Sequence, residues 1–145
     1  MLFRDGDSSL ELQITSYELP AGEGRPGSDD QNWLVLRCTW LDGEGNLRKD
    51  SNSCLLTYEL QELTGGLKVL NAGIKDAYHS DFAEPWFTLD AQPEGEGFQV
   101  DVSFVLPNTM DGDDTAELSC LLSRDEMKDL IQELDRTCAK FPERT

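Results

Sequence analysis

A chain of 145 residues suits one domain, long enough to bury roughly two-thirds of its unfolded surface around a single core. With 29 Asp and Glu against 12 Lys and Arg, the formal net charge is -17; that field repels phosphate backbones and anionic lipids and argues against direct nucleic-acid or membrane binding. No apolar run approaches the ~20 residues a bilayer requires, and the start Met-Leu-Phe-Arg-Asp has no signal-like apolar region, so a cytoplasmic protein is expected.

Leu2-Phe3 reads as a short strand that turns back at Asp5-Gly6-Asp7-Ser8. Leu10, Leu12 and Ile14 alternate with polar residues and form the next strand. Pro20 to Gln31 is too polar and too punctuated to pack, and reads as a mobile loop. Trp33 to Leu41 is apolar on both faces, the mark of a central strand. Asp42-Gly43-Glu44-Gly45-Asn46 is a hairpin turn, Leu47 to Asp50 starts the return, and Cys54-Leu55-Leu56 ends it. A first helix runs from Tyr58 to about Leu70, with Thr57 as hydroxyl cap and Leu60, Leu63, Leu67 and Leu70 on one face. Gly65-Gly66 costs it roughly 1 kcal/mol per glycine and predicts a kink or an early end; Asn71-Ala72-Gly73 supplies a left-handed cap.

In the second part, Pro85 removes a ladder donor, so the strand through Trp86 and Phe87 begins at or bulges around it, near an edge. Pro93 to Gly97 turns the chain. Phe98, Val100, Val102, Phe104 and Leu106 alternate with polar residues in the clearest strand. Pro107 to Asp114 is an acidic loop, and 116–121 a further strand. Ser123 and Glu126 form a capping box, after which Met127, Leu130, Ile131, Leu134, Cys138 and Phe141 recur at helical spacing until Pro142.

Cys-Leu-Leu, a hydroxyl residue and an amphipathic helix thus occur twice, at Cys54 and at Cys120. The pattern predicts a single domain, 1–145, of two halves, about 1–72 and 73–145. The fold class is α+β: one antiparallel β-sheet carrying both amphipathic helices on one face, with Leu60, Leu63, Met127, Leu130 and Leu134 buried.

The four cysteines lack Cys-x-x-Cys spacing and read as reduced core thiols. The single His79 makes a zinc site or a Cys-His or Ser-His pair a poor expectation. Asp5-Gly6-Asp7 and Asp111-Gly112-Asp113-Asp114 are explained by turn chemistry rather than by calcium ligation. No catalytic, cofactor-binding or metal-ligating residue is predicted, and no cofactor. The charge distribution is more informative. Up to Ala72 there are twelve acids and six bases, whereas Asp76 to Ser123 holds eleven acids and no Lys or Arg.

Asn32-Trp33-Leu34-Val35, Cys54-Leu55-Leu56-Thr57 with Glu59-Leu60, Phe82-x-Glu84-Pro85, Leu121-Leu122-Ser123 and Phe141-Pro142-x-Arg144, in that order, resemble WapI-type bacterial immunity proteins. The resemblance implies a cytoplasmic, non-enzymatic antidote that binds and neutralises a toxin domain, a nuclease. Such a toxin is expected to be basic around its active site, which makes a basic protein the partner and the base-free segment its binding surface. Glu94, Glu96, Asp111, Asp113 and Asp114, in its two turns, are the candidate partner-binding residues. Two alternatives are a small-molecule-binding module and a carboxylate-based hydrolase.

Overall fold

The computed structural model describes residues 1–108 and 114–145. Alternating residues turn into strands in the order β1 (Leu2–Asp5), β2 (Ser8–Tyr17), β3 (Trp33–Leu41) and β4 (Leu47–Leu56). Helix α1 (Thr57–Asn71) follows, then β5 (Tyr78–His79), β6 (Phe87–Glu94), β7 (Gly97–Leu106), β8 (Asp114–Leu122) and helix α2 (Arg124–Lys140). The order of four strands and a helix therefore occurs twice. Among the described residues no helix is long and apolar enough to cross a membrane.

The composition is α+β, as expected, but the single sheet is corrected to two. β1-β2-β3-β4 and β5-β6-β7-β8 are separate four-stranded antiparallel sheets. Hairpins close locally at small entropic cost, so each run of strands pairs with itself. Between the runs, α1 has 15 residues and carries the chain about 22 Å away from the β4 edge. The helices accordingly do not share one face of one sheet. α1 packs against α2, β4, β5 and β6, while α2 reaches β7 and β8. β3 is internal in its sheet, and β6 lies next to the two-residue edge strand β5, as the positions of Trp33 and Pro85 predict.

Inward residues of both sheets and both helices join in one buried cluster that includes Phe3, Leu10, Leu36, Phe87, Val102 and Phe104. Leu60, Leu63, Met127, Leu130 and Leu134 are all buried in it, each contributing roughly 1.5–3 kcal/mol relative to exposure. Cys38, Cys54 and Cys120 are buried free thiols, and Cys138 is half-buried.

The start of α1 differs from the expectation. Thr57 is its first helical residue and Leu56 its cap, without a side-chain hydrogen bond. Leu56 stands four residues before Leu60, as Ser123 stands four before Met127. Leu has no acceptor, so only half of the capping box survives, the Leu56 amide donating to Glu59 at 3.0 Å. At α2 the box is complete: the Glu126 amide donates to Ser123 Oγ at 3.1 Å and the Ser123 amide to Glu126 at 3.0 Å.

α1 also runs through Gly65-Gly66 without ending early. A Cβ on Gly66 would lie 2.3 Å from the Tyr78 ring, whereas one on Gly65 would meet nothing within 4 Å. Gly66 is thus a packing residue, letting β5 of the second half lie against the helix of the first. Gly73, at φ 75°, takes the left-handed position that closes α1.

Candidate functional site

The motifs set apart in the sequence meet at the seams of the fold. Asn32 is buried in the approach to β3, at the end of the 3-10 turn Asp29–Asn32. Its Oδ1 accepts from the Thr57 hydroxyl at 2.9 Å and from the Arg144 amide at 2.8 Å, while its Nδ2 donates to the Arg144 carbonyl at 2.9 Å. Arg144 also donates to the Leu19 carbonyl at 3.0 Å and lies 3.4 Å from the Tyr17 ring centre. Tyr17 in turn meets Phe141 edge to face at 5.4 Å and donates to the Pro142 carbonyl. Glu59, only 4% exposed, accepts from the Leu56 amide with one oxygen and, at 2.7 Å, from the Ala83 amide with the other. These side chains close the protein upon itself. Little of their bonding capacity is left for a partner.

Of the five predicted site residues, the three that are described are not brought together. Glu94 and Glu96 are exposed at the turn between β6 and β7, where Glu94 pairs with Gly97. Asp114 opens β8 at the other end of β7, opposite Leu106, and about ten residues of strand put roughly 30 Å between the two ends. Asp114 is also ion-paired with Arg48 of β4, which lies 3.6 Å from Asp42. One acid of the base-free segment therefore has its counter-charge in the first half of the chain, which sequence order conceals. Asp111 and Asp113 lie outside the described residues.

A surface that the turn-centred reading missed runs between these ends. Residues on β6, β7 and β8 alternate, and the outward set falls into cross-strand rows. The first is Thr88, Ser103 and Glu117; the second Asp90, Asp101 and Ser119; the third Gln92, Gln99 and Leu121. Glu94 extends the outward face of β6, and His79 of β5 stands beside Asp90, its Nδ1 2.9 Å from the carboxylate. Among the described residues this face carries Asp90, Glu94, Asp101 and Glu117 and no Lys or Arg. The corresponding outward face of the first sheet carries Arg4, Arg37 and Lys49 with one acid, Glu11. Strict alternation in β6 and β7 was the signal that could have found it.

Other chemistry is less suggestive. Burial pushes the thiols of Cys38 and Cys54 up to about 12 and that of Cys120 to about 11, with nearby carboxylates adding to it. Thiols so held are inert as nucleophiles. His79 is exposed on the sheet face and paired with Asp90. Asp30 and Asp42 are held below the usual carboxylate range, first by backbone amides of Arg25 and Asn46 respectively, which is turn chemistry. Among the described residues no cluster of His, Cys, Asp and Glu could hold a metal ion. A groove of about 810 Å³ lies between the Glu94–Gly97 turn and the start of α2, bordered by Leu121, Arg124 and Asp125. It is open to solvent, and four of its lining side chains are carboxylates.

The model of the Immunity protein WapI-like family matches residues 1–142. No curated protein matches the sequence. Among solved structures, the plant transcriptional regulator PBF-2 is similar at 15% identity and a TM-score of 0.51, over 97% of this chain and 80% of that one. WHY1 from Arabidopsis thaliana is similar at 16% identity and a TM-score of 0.51, over 97% of this chain and 88% of that one. WHY3 from the same plant gives the same identity and score, over 97% and 86%. At such identities the likeness is one of fold.

Proposed function

The chain belongs to the WapI-like immunity protein family, and from that premise we propose that it neutralises a cognate toxin domain by covering a basic, nuclease-type surface with its own acidic one. The observation that carries this reading is the outward face of the second sheet, with Asp90, Glu94, Asp101 and Glu117 and no Lys or Arg among the described residues. Glu94 and Glu96 lie at its β6–β7 border, and Asp114 opens β8 at its far end. Nucleic acid itself would be repelled by this face and by the net charge of -17. The fold shared with a plant transcriptional regulator is a scaffold on which different sites can be built.

Coulomb steering predicts that association, far more than dissociation, slows as salt contracts the Debye length from ~30 Å at 0.01 M to ~8 Å at physiological ionic strength. The test is capture of the polypeptide encoded immediately upstream, followed by association kinetics over a salt series. Changing Glu94, Glu96, Asp111, Asp113 and Asp114 to Gln or Asn should slow association, and changing Glu23 and Glu44 in first-half turns should not. Equal slowing per charge removed in the two sets would reduce the effect to net charge and remove the claim to a face.

A further inference from the structure

We infer that the toxin docks on the outer face of the second sheet around the opposed pair Asp90 and Asp101, with Leu121 as its apolar anchor; this deepens the function proposed above and rests on it. Asp90 and Asp101 are direct cross-strand partners. Side chains so placed have Cβ atoms about 4.5–5.5 Å apart, and like charges there destabilise the sheet. The neighbours on the free protein reduce this cost without cancelling it. Asp101 accepts from Ser119 Oγ at 2.5 Å and from Gln99 Nε2 at 3.5 Å, both neutral donors. Asp90 has the exposed His79.

The first sheet handles a comparable row differently, placing Glu11, Thr39 and Lys49 side by side so that acid and base share it. Solubility does not account for the difference, because a chain at -17 has charge to spare without a repulsive pair. A partner's Lys or Arg set between the two carboxylates turns repulsion into attraction, and the gain grows as the interface excludes water. Leu121, 68% exposed, stands in the adjoining row beside Gln99. A large apolar side chain there, with Glu94 and Glu117 farther out, has the layout of an interface anchor within a polar rim. Charge selects the occupant: a second copy, at -17, is repelled, and a basic protein surface is attracted.

The experiment measures both stability and binding, with the purified C-terminal domain of the upstream polypeptide as probe. Asp90→Asn and Asp101→Asn should each raise the melting midpoint of the free protein while weakening its affinity for that domain about tenfold or more. Leu121→Ser should lower affinity to a similar degree with the midpoint little changed, and Lys49→Gln on the first sheet should alter neither. A lowered midpoint in the two Asn variants would overturn the inference, since the pair would then stabilise the fold. Self-association of the wild type that Asp101→Asn abolishes would overturn it in favour of a second copy. Wild-type binding that all three variants retain would overturn it and leave the immunity function standing. Failure of the wild type to bind would overturn both.

Discussion

The two halves of the chain repeat the order of four strands and a helix, yet they use equivalent positions for opposite purposes. At the start of α1, Glu59 is buried and serves two segments at once, its own cap and the loop at Ala83. At the start of α2, Glu126 is exposed and serves only its own cap. Asn32, which accepts from the Thr57 hydroxyl, bonds to the Arg144 backbone in the C-terminal tail, so the first half also holds the end of the second. The outer faces divide the work in the same sense. The outer face of the first sheet carries three bases and one acid, whereas that of the second carries carboxylates and no Lys or Arg among the described residues. One half buries its capping acid within the frame and the other leaves its acids exposed, so repeated topology does not imply repeated use of equivalent positions.

The comparison is broken most directly at the two helix starts. Glu59→Ala should destabilise the protein by about 3 kcal/mol, because it strands the buried Leu56 amide and the part-buried Ala83 amide, while Glu126→Ala should cost under about 1 kcal/mol at an exposed cap. Equal losses in denaturant unfolding would remove the distinction between frame and surface. Next in size is Gly66→Ala, expected to cost about 1–3 kcal/mol by driving a methyl group into the Tyr78 ring. Unchanged stability there would mean that β5 yields easily and is not held by the first half. Ser123→Ala should cost about 1 kcal/mol through loss of the hydroxyl acceptor, with toxin affinity unaltered; weaker binding would move the interface toward the start of α2. The smallest effect has the opposite sign. Gly65→Ala, in open space on the same helix, should stabilise by up to about 1 kcal/mol, and a loss would show that α1 is strained there.

What the sequence by itself determined was local. Period-two alternation placed β2, β3 and β7, the three-four spacing placed both helices and their buried leucines, and Ser123 with Glu126 marked a cap that the structure shows complete. These signals are legible because each depends on residues a few positions apart. Three things depended on distant residues and could not be read this way. Whether eight strands make one sheet or two depends on where α1 delivers the chain, and hairpin lengths say nothing of that. Thr57 looked like a cap because its partner, Asn32, lies 25 positions away. The candidate site moved for the same reason: counted along the chain, the acids from Asp76 onward form one base-free run, but Arg48 crosses from the first half to neutralise Asp114 while Asp90 and Asp101 are brought face to face. Charge acts through space over several ångströms, so only the tertiary arrangement decided which carboxylates meet a counter-charge and which meet each other.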